Sequence, residues 1–232
     1  MILQNTIKRA SKILKNHNII SYELDAEVIL ADIMRVEREF FIVNNNIDIS
    51  EKIIKKYNSA IKRRINREPV AYITGKKEFW SENFLVNSGT LIPRPETELL
   101  IYKIIKFFKN KRISILDIGT GSGCILLSIL KELNYSKGIG IDISPKAIQT
   151  AKINSQKLNL FYRSKFKVFD INQFYVGKFD LIVSNPPYIP LRHIKNLSKE
   201  ITKYEPIIAL NGGIDGLDLI KKVIYKSTIL LK

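Results

Sequence analysis

The chain is 232 residues long, with 38 Lys and Arg against 22 Asp and Glu, a formal net charge of +16 and one cysteine. This length suits one medium domain with a small appendage and enough residues to bury a core. One cysteine excludes an internal disulfide, no apolar run approaches membrane-spanning length and no charged-plus-apolar segment leads the chain, so a soluble, cytoplasmic protein without membrane contact is expected.

Residues 1 to about 68 read as helical throughout. Ile2, Leu3, Ile7, Ile13 and Leu14 recur at roughly helical spacing, as do Leu24, Val28, Ile29 and Leu30, and then Ile53, Ile54, Tyr57 and Ile61. These stripes predict the core of a small helical bundle over residues 1–70, with Ser50 as an N-cap and Pro69 closing the last helix. From Tyr72 to Pro93 the pattern changes to Phe79-Trp80 and Phe84-Leu85-Val86, bracketing Ser81-Glu82-Asn83, which predicts a β-hairpin linker over 71–92. Pro93-Arg94-Pro95-Glu96-Thr97-Glu98 then opens a helix to about Phe108, since proline and acids suit a first turn. Strands come next near 113–118, 138–142, 166–170 and 179–184, with helices at 123–133 and 145–157. Such alternation predicts an α/β domain over 93–232 with a parallel, doubly wound sheet.

Two motifs carry chemistry. The first, Ile115-Leu116-Asp117-Ile118-Gly119-Thr120-Gly121-Ser122-Gly123, reads as a buried strand and a glycine-rich turn before the apolar helix that begins at Cys124. Glycines allow positive φ and close backbone approach to a ligand, and the helix start offers free N–H groups. A dinucleotide fingerprint needs a glycine or alanine at position 124, where this chain has Cys124, so G-x-G-x-G here resembles the S-adenosylmethionine loop of Rossmann-like methyltransferases. Asp142 ends the next strand about where a ribose hydroxyl pair needs an acceptor, and Asp170 is expected at the tip of the third strand, near the adenine amino group in such folds. The second motif, Asn185-Pro186-Pro187-Tyr188, comes directly after the apolar run Leu181–Ser184. The Asn185 side-chain oxygen and a proline-fixed carbonyl can each accept one N–H of a planar NH2 group, and Tyr188 can stack on its face. Pro186 and Pro187 lack N–H groups and have a locked φ, which turns their carbonyls outward. Cys124 reads as a small packing residue, and His17 and His193 are far apart without Cys–His ligand spacing, so no metal is expected.

Further segments carry a closer resemblance. Arg67-Glu68-Pro69-Val70-Ala71-Tyr72-Ile73-Thr74-Gly75, Glu78-Phe79-Trp80, Leu91 through Glu98, the glycine loop, Asn185–Tyr188, Tyr204-Glu205-Pro206 and Ala209 through Gly216 look like the PrmC/HemK family of release factor glutamine methyltransferases. The resemblance implies a Rossmann-like S-adenosylmethionine-dependent methyltransferase domain, preceded by a small helical domain for substrate recognition and a β-hairpin linker. It implies methylation of the glutamine amide in the Gly-Gly-Gln loop of class I peptide chain release factors, with S-adenosyl-L-methionine as cofactor. The implied cofactor-binding residues are Gly119, Thr120, Gly121, Ser122, Gly123, Asp142, Asp170, Ile171 and Asn185. Asn185, Pro186 and Tyr188 are the implied catalytic residues, and Pro187 joins them in substrate binding. In the family the segment of Arg94 and Glu96 flanks the cofactor.

Family members continue past the helix near 215–230 with further strands, whereas this chain stops at Lys232. The strand carrying Asn185 is therefore expected to be a sheet edge, with weakened stability and activity, unless a second chain supplies the missing strands; the complete enzyme is expected to be monomeric. Two rival readings remain. A nucleic-acid base methyltransferase would hold a flipped base with the same Asn-Pro-Pro-Tyr, and the positive charge favours it; the helical domain and Glu-Phe-Trp favour the release factor. The other is an inactive, truncated binding module. The charge itself can steer toward a weak ribosome or RNA contact, or can result from an A/T-rich genome, because Ile, Lys and Asn crowd the whole chain.

Overall fold

The computed structural model describes residues 2–232, which divide into two compact units, one ending at Gly75 and the other beginning at Lys76. The first is helical: α1 (Leu3–Asn16), α2 (Tyr22–Met34), α3 (Phe40–Val43), α4 (Glu51–Ile65) and α5 (Val70–Thr74). The predicted stripes meet inside it, with Leu3, Leu14, Ile29, Leu30, Tyr57 and Ile61 buried in one core. The Tyr57 hydroxyl donates to the Ala26 carbonyl at 2.9 Å, and Arg64 pairs with Asp25 at 2.6 Å, both buried. Ser50 occupies the N-cap of α4 without a side-chain hydrogen bond. The expected role of Pro69 is corrected. Helix α4 stops at Ile65, and Arg67 reverses the chain with φ +71° while its guanidinium donates to the carbonyls of His17 and Asn18. Pro69, lacking an N–H, then serves as the N-cap of α5.

The second unit begins with a hairpin, β1 (Lys76–Phe79) against β2 (Glu82–Leu85), in antiparallel register with Phe79 opposite Glu82. Its turn is Trp80–Ser81, one residue earlier than the sequence suggested. Both residues have positive φ, 51° and 57°, which a two-residue turn needs to match the twist of its strands. Phe79 and Phe84 pack edge to face in the core of this unit, their centroids 6.1 Å apart. The hairpin is therefore built into the second unit's core.

A one-turn 3-10 helix (Pro95–Thr97) leads into α6 (Glu98–Phe108), and the chain continues through β3 (Ser114–Ile118), α7 (Cys124–Glu132), β4 (Lys137–Asp142), α8 (Pro145–Lys157), β5 (Ser164–Val168) and β6 (Leu181–Ser184). Three further helices complete the unit: α9 (Leu191–Ile194), α10 (Lys199–Tyr204) and α11 (Asp218–Leu230). The sheet order is β5-β4-β3-β6, all parallel, so the fold is the doubly wound α/β class expected. Alternate residues of β3 feed two cores, Ile115 one side and Leu116 with Ile118 the other. Among the described strands β6 lies at an edge, and just before it Phe179 bridges in parallel to Leu231.

The third strand ends two residues before its expected end. Val168 is its last residue, and Asp170 instead caps a 3-10 turn (Ile171–Gln173), its carboxylate accepting the Asn172 N–H at 2.8 Å. The apolar run continued past the strand because Phe169 leaves the sheet to line a cleft. Parallel strands place Ile118, Asp142, Val168 and Ser184 along one edge, where open α/β sheets bind ligands.

Candidate active site

Loops leaving that edge enclose a cleft of about 400 Å³. Its floor is the turn after β3. Gly119 and Gly121 have φ +72° and +56°, and a Cβ on either would meet nothing within 4 Å. The space a side chain would fill is open for a ligand to approach the backbone. Gly123 plays a different part: it caps α7, and a Cβ there would press on Ala151, Leu127 and Phe166 at 3.2 Å, so its smallness serves packing. Thr120 is also turned inward, its hydroxyl donating to Asp117 at 2.6 Å.

Asp142 ties the floor to the next wall. One carboxylate oxygen accepts the Gly121 N–H and the other the Ser144 N–H, both at 2.9 Å. Each oxygen keeps a lone pair for a further donor. Burial pushes its pKa up, and the N–H groups of Ser144, Gly121 and Ile143 oppose that push. Asp117, one turn behind, is fully buried and pushed up to about 7 by desolvation, against the Thr120 hydrogen bond. Among the described residues, its second oxygen and the Ser122 hydroxyl make no hydrogen bond of normal geometry. The opposite wall consists of Phe169, Asp170, Ile171 and Asn172.

Asn185 enters the cleft directly from β6. Ser184 anchors the strand end by donating to the Ile118 carbonyl at 2.7 Å, and Asn185 Nδ2 donates to Thr97 Oγ1 at 3.5 Å. Pro187 also lines the cleft, whereas Pro186 is half-buried outside the lining and Tyr188 is 62% exposed. The backbone beyond Tyr188 is clamped. Ile189 donates to Leu210 and accepts from Gly212, and Leu191 donates to Gly213. Gly212 and Gly216 permit this clamp, because a Cβ on either would meet the Tyr188 backbone at 2.8 Å or 2.5 Å.

Several lining residues were not among the expected site: Leu91, Pro93, Thr97, Ile208, Asn211 and Lys222. A buried Glu205 organises the nearest of them, accepting the Ile92 N–H at 3.2 Å and pairing with Arg94 at 2.6 Å. The sequence showed Tyr204-Glu205-Pro206 as a segment without a role, and a pairing over 111 residues leaves no local pattern.

Residues 5–75 match the PrmC N-terminal domain family, and residues 109–223 match a methyltransferase domain family. The release factor glutamine methyltransferase of Buchnera aphidicola subsp. Schizaphis graminum is 45% identical over 96% of this chain and 79% of its own length. That of Clostridium acetobutylicum is 39% identical over 100% of this chain and 83% of its own length. The chain belongs to the release factor glutamine methyltransferase family. Among solved structures, a SAM-dependent methyltransferase from Geobacter sulfurreducens in complex with S-adenosyl-L-homocysteine aligns at 16% identity and a TM-score of 0.39, over 60% of this chain and 45% of that one.

As a member of this family the chain presents a cleft built from backbone groups, carboxylates and amides. The Cys124 thiol, on the cleft wall, is pushed up to about 12 chiefly by burial, so it is protonated at neutral pH and is a poor nucleophile. Among the described residues, no three His, Cys, Asp or Glu side chains converge as metal ligands, and no helix is long and apolar enough to cross a membrane.

Proposed function

We propose that this chain methylates the side-chain amide nitrogen of the glutamine in the Gly-Gly-Gln loop of class I peptide release factors, in the cytoplasm, with S-adenosyl-L-methionine as methyl donor. The observation that carries the reading is Asn185, delivered by β6 into the cleft that the glycine turn floors. The family membership supports the substrate.

The residues present fit the cofactor. Gly119 and Gly121 leave open space above their backbone, and Asp142 retains acceptor capacity for ribose hydroxyls on both carboxylate oxygens. Asp170, with Ile171 beside it, offers an acceptor for the adenine amino group on the facing wall. When bound, the cofactor supplies an electrophilic methyl group on a sulfonium sulfur.

An amide nitrogen is a poor nucleophile because its lone pair is delocalised. Thr97 takes the NH2 end of Asn185, which leaves Oδ1 to accept one substrate N–H. The Pro186 carbonyl accepts the other, and Tyr188 stacks on the amide plane. Two accepted N–H bonds raise electron density on the nitrogen and fix its direction, so catalysis is positioning plus fixed dipoles. The nitrogen gains the methyl group and loses one proton, which becomes acidic only as the N–C bond forms and departs to water. No general base is required. The helical unit, residues 1–75, is assigned to recognition of the release factor, since it carries none of these groups.

The test is methyl transfer from labelled cofactor to a class I release factor, beside a release factor with the loop glutamine replaced, and beside tRNA, rRNA and DNA. Label should enter only the unaltered release factor. Label in a nucleic acid instead would transfer the reading to a base methyltransferase.

A further inference from the structure

The amino-terminal edge of the sheet, opposite the cleft, gathers cations and bare aromatic rings. Ser114 pairs with Lys137 and Gly138 with Ser164, so the residues entering these strands, Ile113, Ser136 and Arg163, come to one end of the sheet, with Arg112 one residue further out. Lys111, Arg112 and Lys137 are exposed there. Arg163 braces the edge by donating to the carbonyls of Leu133 and Ser136 at 3.1 Å and 3.3 Å.

Four rings stand in water around these cations: Phe107, Tyr135, Phe161 and Tyr162, between 61% and 73% exposed. None belongs to a hydrophobic core. The Lys111 ammonium lies 4.9 Å from the Phe107 centroid and the Arg163 guanidinium 5.9 Å from that of Tyr162, while Phe161 meets Tyr162 edge to face at 5.6 Å. Nearby carboxylates are already engaged. Asp180 accepts from Ser114 and pairs with Lys232, and Glu132 accepts the Trp80 indole N–H. A composition-driven surplus of lysine accounts for scattered charge, but not for exposed rings interleaved with cations along one edge.

We propose that this edge is a docking surface for single-stranded RNA, with Lys111, Arg112 and Lys137 on phosphates and Tyr135, Phe161 and Tyr162 stacking on unpaired bases. The choice of RNA rests on the proposed activity, because a release factor works on the ribosome, where exposed RNA loops surround it. The surface lies at the end of the sheet away from the cleft, so the RNA anchors the enzyme and is not its substrate.

The test is fluorescence anisotropy with labelled oligouridylate and with a labelled RNA duplex, alongside release factor methylation by the same 232-residue proteins. The single strand should bind better than the duplex, with a log–log salt slope of about −2 for three neutralised phosphates. Combining Arg112→Glu with Lys137→Glu should weaken binding at least about ten-fold and flatten the slope. Combining Tyr135→Ala with Tyr162→Ala should weaken it about ten-fold or more with the slope kept. All variants should methylate free release factor like the parent. Duplex binding as tight as single-strand binding, unchanged affinity in the aromatic variant, or no RNA binding by the parent would overturn the surface while leaving the activity standing. Loss of methylation of free release factor in these variants would reassign the edge to the protein partner. Absent methylation by the parent chain would instead overturn the activity, and with it the reason for choosing RNA.

Discussion

Thr97 Oγ1 accepts a 3.5 Å hydrogen bond from Nδ2 of Asn185, joining two segments 88 residues apart. The contact sets which end of the amide faces the cleft. Thr97 is held in turn by its neighbours, since Glu205 pins Ile92 and Arg94 at the start of the same segment. The amide that orients the substrate is thus oriented by a turn outside the sheet.

Thr97→Val keeps the shape and removes the acceptor. A hydrogen bond of ordinary length contributes about 0.5–1.5 kcal/mol and this one is long, so kcat should fall roughly two- to ten-fold. Cofactor affinity by calorimetry should be unchanged, because Thr97 acts through Asn185. Loss confined to KM, with kcat intact, would contradict a positioning role.

Gly216→Ala tests the clamp behind Tyr188. The residue has φ +84°, and its Cβ would lie 2.5 Å from the Tyr188 carbonyl oxygen. Strain plus displaced backbone should lower Tm by roughly 3–10 °C. Turnover measured well below that Tm should still fall, since the shift passes directly to the Asn-Pro-Pro-Tyr loop. Normal turnover in a folded variant would show that the loop does not need the clamp.

Much of this arrangement was legible in the sequence, and the exceptions have physical causes. Helix α8 fell at its expected limits because Ser144 and Pro145 supply a cap and a first residue, the Ser144 hydroxyl accepting the Ala147 N–H. The end of β5 was misplaced because Phe169 continues the apolar pattern one residue past the strand, where it lines the cleft. The hairpin itself was legible, but its turn was displaced by one residue because Trp80 and Ser81 adopt positive φ without a glycine or asparagine to announce it. Thr97 and Glu205 were invisible as a pair of supports, since their partners are brought together only by the fold.

Cofactor binding should depend on the floor. Asp142→Ala removes an acceptor that also fixes the Gly121 and Ser144 N–H groups, and should weaken affinity by roughly 1–3 kcal/mol, about five- to 150-fold. Gly121→Val fills space that is open in the cleft, so it should block the cofactor, over and above the strain of placing a β-branched residue at φ +56°. Calorimetry of both folded variants decides this, and wild-type affinity in both would remove the cofactor from this turn.

Asp117 makes stability depend on pH in a defined direction. Its carboxyl is raised to about 7 in the folded chain from an ordinary 3.8 by burial. Between those values the folded state binds more protons than the unfolded state, so stability falls as pH rises from about 4 through about 7. The ionised group costs at most roughly 4 kcal/mol above that window. Asp117→Asn removes the titration, so the Tm of the variant minus that of the parent should increase from pH 4 to pH 8. A difference independent of pH would place the charge elsewhere.

The central claim is that Asn185 orients the glutamine amide at the moment of transfer. Single-turnover methylation of a class I release factor, with cofactor and release factor both saturating, measures this directly for the parent and for Asn185→Ala. The variant should bind cofactor within a few-fold of the parent, yet transfer the methyl group about 10²- to 10³-fold more slowly, the scale seen when one fixed dipole is removed from a transition state. A variant that transfers at the parental rate would contradict the account.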